Sequence, residues 1–131
     1  MLLCDYAEAI DGKLYIMGGA WAIQHTPNLP FSSAVAAVVS VEWNETNVKH
    51  EVVIELRTED GAPVNIPGTD QPLALPTQLE VGRPPGSKHG MRFNAPLVFN
   101  VQGLALAEGG YEWVLTVDGM VKARSPFYVG A

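Results

Sequence analysis

The stretch LALAEGGYEWVLTVDG, Leu104 to Gly119, decides how the rest of the chain is read. Its second half alternates. Tyr111, Trp113, Leu115 and Val117 fall on one side of an extended chain, and Glu112, Val114, Thr116 and Asp118 fall on the other. A period of two belongs to a β-strand, whose successive side chains point to opposite faces. Asp118-Gly119 then supplies a dipeptide that tolerates positive φ, so the spacing predicts a tight hairpin into Met120 to Arg124.

The first half accounts for the tyrosine. Leu106-Ala107-Glu108-Gly109-Gly110-Tyr111 has the order of a tyrosine corner, in which the phenol hydroxyl bonds to backbone a few residues upstream. Leu106 is the apolar anchor, and Gly109 lets the chain turn sharply. Antibody domains carry a cysteine two residues after this tyrosine. Here Trp113 stands there, so a disulfide of that type is excluded and Trp113 reads as core.

Working outward, the same short alternating runs recur between 13 glycines and 10 prolines, which leave no room for a long helical period. Met91 to Val101 is the clearest: Met91, Phe93, Ala95, Leu97, Phe99 and Val101 share a face, and Pro96 marks an edge strand or a bulge. His50 to Arg57 alternates likewise and ends at Asp60-Gly61, which predicts a hairpin onto Ala62 to Ile66. Ala34 to Glu42 is apolar on both faces and reads as a central, doubly covered strand. Further strands are expected at Leu2 to Glu8, Lys13 to Met17 and Trp21 to His25, with a turn at Asp11-Gly12 and a bend at Gly18-Gly19. One helical turn is expected within Asn44 to Lys49, and loops at Pro27 to Ser33, Pro67 to Pro76 and Gly82 to Gly90. Taken together, these elements predict an all-β chain: an antiparallel immunoglobulin-like (Greek-key) β-sandwich of about 7–9 strands with little or no helix.

The 131 residues suit a single domain spanning 1–131, since one core commonly serves about 100–200 residues. A hydrophobic fraction of 47% and a charged fraction of 17% are globular values. Fourteen acids against 8 bases leave a net charge of −6 with no basic stripe, which disfavours nucleic acid and anionic membranes as partners. Cys4 is the only cysteine, so no internal disulfide forms. The start MLLCDYAEAID lacks a basic region and is interrupted by Asp5 and Glu8, unlike a secretory signal, and Ala34 to Val41 is too short to span a bilayer. A cytoplasmic location is the resulting expectation.

Several of these stretches occur together in a known family. CDYAEAIDGKLYIMGG (Cys4 to Gly19), Pro30-Phe31, Asp60-Gly61 and GGYEWVLTVDG (Gly109 to Gly119) resemble a family of small bacterial proteins of unknown function. The resemblance runs nearly end to end. It implies an immunoglobulin-like or C2-like sandwich and brings no catalytic set.

No motif carries chemistry. His50-Glu51 opens like a zinc-protease helix but lacks the second histidine, and its strand period sends the two side chains to opposite faces. Cys4, His25, His50 and His89 show no metal-ligand spacing. Gly82 to Lys88 has its Gly-Ser-Lys in the wrong order for a phosphate loop, and Pro84 and Pro85 delete donors that such a loop needs. No serine lies in a nucleophile elbow. No metal, cofactor or catalytic residue is therefore expected. Arg83, Lys88, His89 and Arg92 concentrate positive charge, either as a contact for an anion or an acidic partner or as a solvated loop. Trp21 and Trp43 either present a ring to a ligand or partner, or pack at the core's rim. The leading expectation is a non-enzymatic binding or scaffold module that meets a protein partner or self-associates through sheet edges or loops. A sandwich that binds a sugar or metabolite is the alternative, and an enzyme with a dispersed site ranks last.

Overall fold

The computed structural model describes residues 1–131. Ten strands follow in order: β1 Leu2–Cys4, β2 Tyr6–Ile10, β3 Lys13–Met17, β4 Ile23–Gln24, β5 Phe31–Val41, β6 His50–Thr58, β7 Ala74–Leu79, β8 Phe93–Leu104, β9 Gly109–Val117 and β10 Met120–Val129. A 3-10 turn, Trp43–Glu45, precedes β6. Two Asp-Gly pairs close the tight hairpins as expected. Asp11 and Gly12 lie at φ 51° and 73°, and Asp118 and Gly119 at 51° and 80°. Positive φ at both central residues defines a turn whose twist matches that of the flanking strands.

The strands form a three-stranded sheet, β1-β5-β8, a five-stranded sheet, β4-β10-β9-β6-β7, and a two-stranded ribbon, β2-β3. The inner faces of the two larger sheets meet in one core. Leu3, Val35 and Ala37 come from the first, and Val52, Ile54, Leu56, Trp113, Leu115, Phe127 and Val129 from the second. Each large side chain fully buried there contributes about 1.5–3 kcal/mol. Trp113 is wholly buried, and its indole N–H donates to Ser33 Oγ at 3.2 Å, tying β9 to β5 across the core.

The outer face of β5 is covered differently. Ala34 and Ala36 pack with Cys4 and Ala7, all buried, and with Leu14 and Val98. These small side chains let the ribbon lie close against the sheet. Asn100 completes the contact: its side-chain N–H donates to Ala7 O at 2.9 Å, and its Oδ1 accepts from Ala7 N at 3.3 Å. One amide side chain thus occupies both main-chain positions that a neighbouring strand would satisfy.

Several expectations are corrected. Leu2 to Glu8 breaks at Asp5, which sends β1 and β2 into different sheets; a Cβ on Gly18 would collide with that aspartate. The strand that follows β6 and pairs with it is β7, beyond the expected segment. Ala62 to Ile66 reaches β6 only through an isolated bridge, Arg57 to Pro63, because Leu73 then takes the next rung: its carbonyl accepts from the Leu56 amide and its amide donates to Val64 O. Ala74 to Pro76 and Phe31 to Ser33 are therefore strand, where loop is expected. β8 starts at Phe93 and runs on to Leu104. The second sheet is mixed, since β4 pairs with β10 in parallel. The central strand is covered on both faces only in part: Ala34 to Ala37 are buried, but Val38 is 54% exposed.

Candidate functional site

β5 is eleven residues long, and its two edges are treated unequally. β8 pairs along one edge from Phe31 to Val41. β1 pairs along the other only at Ala34, Val35 and Ala36, so Ala37 to Val41 have no partner there. β10 has a similar gap, because β4 meets it only at Tyr128 and Val129. The two bare edges flank an open seam between the sheets. Met1 lies at one end of it, where its carbonyl accepts from Ser125 Oγ at 3.5 Å.

The seam holds a cleft of about 430 Å³. Val39 and Val41 of β5 face Leu79, Leu115, Val117 and Ala123 of the other sheet across it. This is the rim of the core left open to solvent. Polar groups frame it: Glu42 with Arg92, paired at 2.8 Å, then His50 with Asp118, and Lys122.

His50 is held from both sides. Nδ1 lies 2.8 Å from Asp118 Oδ2, and Nε2 lies 2.8 Å from Glu45 O. Neither oxygen can donate, so each contact needs a proton on the ring and together they favour the imidazolium. The Glu45 carbonyl and then the Asp118 carboxylate accordingly raise the His50 pKa above its ordinary value. His50 and the Glu51 amide in turn hold the Asp118 carboxyl below its ordinary value. A histidine with both nitrogens occupied has no lone pair to offer as a general base. Sequence reading places Asp118 in the hairpin turn, where it is, but misses this partnership across 68 residues.

Four of the six residues singled out as contacts converge. The Arg83 guanidinium lies over the Trp43 ring, 3.8 Å from its centroid. Its Nε donates to Thr46 Oγ1 at 2.7 Å and its Nη2 to Trp43 O at 2.8 Å. His89 meets the same indole edge-on at 4.9 Å, and Phe93 stacks at 6.2 Å. Arg92 engages Glu42 beside them. The arrangement clasps the loop between β7 and β8 onto the turn before β6, using most of the positive charge internally. Lys88 is exposed in that loop and its amide approaches Met91 Sδ. Trp21 lies apart. Its ring meets Phe31 and Phe127 edge-on at 6.4 and 5.4 Å, within the core periphery. The structural set falls where its motif puts it: Leu106 is buried, Gly109 has φ 154°, and Tyr111 donates to Ala107 O at 2.8 Å.

No group of three or more His, Cys, Asp or Glu side chains converges as a metal site, and Cys4 is buried with its S–H directed at Ala34 O. No helix is long and apolar enough to cross a membrane. No curated protein and no solved structure matches the chain. A family of unknown function, DUF6941, matches residues 1–130. Covered almost from end to end, the chain belongs to that family.

Proposed function

We propose that this chain is a non-enzymatic binding module of immunoglobulin-like, Greek-key architecture that takes up an extended polypeptide segment along the seam. The strand order supports the architecture. Three strands β1-β5-β8 face β4-β10-β9-β6-β7, with the tyrosine corner opening β9 after the crossing from β8. In immunoglobulin terms β9 is the strand that carries the second disulfide cysteine, and Trp113 with Ser33 spans the sheets where that bond would lie.

The observation that carries the function is the unpaired β5 edge at Ala37 to Val41 beside an apolar cleft. Bare backbone donors and acceptors are matched best by another extended chain, and alternate side chains of that chain would enter the cleft. The bound segment continues the line of β1. Affinity then comes from main-chain bonds, and selectivity from which side chains fit between Val39 and Val117. The test is selection from a displayed library of short linear peptides, followed by amide exchange on the complex. Selected peptides should alternate apolar residues and slow exchange at Ala37 to Val41. Peptides that protect other segments, or a library that yields no binder, would sink the reading. The cleft's volume also suits a small apolar metabolite, since ligand pockets commonly measure about 300–1,000 Å³. Stabilisation by such a compound without any peptide binding would favour that second reading.

A further inference from the structure

The β2-β3 ribbon stands outside the core and presents a row of its own. Cross-strand partners are Tyr6 with Met17, Glu8 with Tyr15, and Ile10 with Lys13, so these six side chains share the face turned from the sheet. Met17 is 67% exposed, Tyr15 54%, Ile10 47% and Tyr6 41%. Counting Ile16, five of the chain's 14 exposed large hydrophobics lie on this hairpin. Scattered apolar residues need no explanation, but a contiguous row of them does.

Two further observations indicate what covers it. The first is area. A compact monomer of 14.1 kDa is expected to expose about 6,700 Å². This chain exposes 7633 Å², an excess of about 900 Å². A standard interface takes about 800 Å² from each partner, and the ribbon, with four exposed large apolar side chains on its outer face, contributes to this surplus together with the open seam. The second is charge. Two copies at −6 repel, and a contact between them is cheapest where the surface is locally neutral. The row carries one acid and one base, Glu8 and Lys13.

We infer that the outward face of the ribbon is a homodimer interface, with two ribbons packed face to face about a two-fold axis along the strands. That axis sets Tyr6 on Met17 of the partner subunit, and it puts Lys13 diagonal to Glu8 of the partner subunit. A two-fold axis across the strands would instead oppose the two Glu8 carboxylates. The interface is isologous, so it closes at two copies and does not propagate.

Sedimentation equilibrium on the full chain tests this. The wild type should reach about twice 14.1 kDa. Tyr15→Glu should return it to monomer with its circular dichroism unchanged, because the side chain bears on no core. Lys13→Glu should weaken association about tenfold or more, and Lys13→Glu with Glu8→Lys should restore it. Val39→Arg, in the seam, should leave the dimer intact, so failure of the peptide-binding reading is distinguishable from failure here. A wild type that stays monomeric at every soluble concentration overturns the inference. So does a dimer that ignores both Tyr15→Glu and the charge reversal.

Discussion

Tyr111 joins two kinds of contact that substitution can separate. Its hydroxyl reaches Ala107 O, while its ring stacks on Phe127 at 5.6 Å. Tyr111→Phe keeps the stacking and should cost about 1 kcal/mol in urea unfolding, the scale of one hydrogen bond. His50 calls for a different measurement. Its raised pKa means that its contribution is complete below the ordinary 6.5 and is lost as pH climbs through the folded value. Asp118 behaves oppositely: its contribution is complete above the ordinary 3.8 and is lost as pH falls through the lowered folded value. The pair is therefore whole between those two ordinary values, and His50→Gln should lower Tm more at about pH 5 than at about pH 9. An equal drop at both pH values would show that the ring acts through packing. The corner was legible in the sequence because all its parts lie within six residues, Leu106 to Tyr111. The His50–Asp118 pair was not, because no local pattern ties residues 68 apart.

Among the elements, the Asp-Gly hairpins are local and read correctly at Asp11-Gly12 and Asp118-Gly119. At Asp60-Gly61 only the glycine takes positive φ, 86°, so the pair sits in a wider loop and its downstream arm ends after Val64. Dipeptide identity did not distinguish these outcomes; the insertion of Leu73 between Leu56 and Val64 did. Prolines mark edges elsewhere. Pro76 and Pro96 lie on the outer strands β7 and β8, where a missing donor breaks no ladder. Pro126 lies on β10 two residues before Tyr128, whose amide reaches out to Ala22 O. It withholds a donor from the β10 side of the seam, which leaves β5 as the side that can pair a guest strand. The loop clasp is an element of this scale as well. Arg83→Lys removes the fork that bonds Thr46 and Trp43 O together, and a lysine cannot replace both bonds in one plane. Limited proteolysis should then cut within Gly82 to Gly90 several-fold faster, with little change in Tm. Unchanged cleavage would mean that Trp43, His89 and Phe93 suffice to hold the loop.

Over the whole molecule, the all-β class was legible from alternation and turns, but the open seam was not. Its position depends on where β1 stops pairing with β5 and on how little of β10 is met by β4, and both are matters of long-range register. Nor did any local pattern show that β2 and β3 would leave the two larger sheets to form a ribbon of their own. The small residues that permit this, Ala7, Ala34 and Ala36, look like ordinary strand filling until they meet. Asn100→Ala should therefore leave the main core standing while native-state hydrogen exchange speeds up across Tyr6 to Met17. Uniform acceleration throughout the chain would mean that the ribbon and the core open as one unit.

Fastening a hairpin by one carboxamide and a patch of small side chains, instead of a continuous ladder, has a further outcome. Should exchange across Tyr6 to Met17 outrun that of the core, the layer opens as a flap on a timescale of its own, without melting what lies beneath. The outward face rides on that layer, so assembly through it would then respond to conditions that leave the fold beneath untouched.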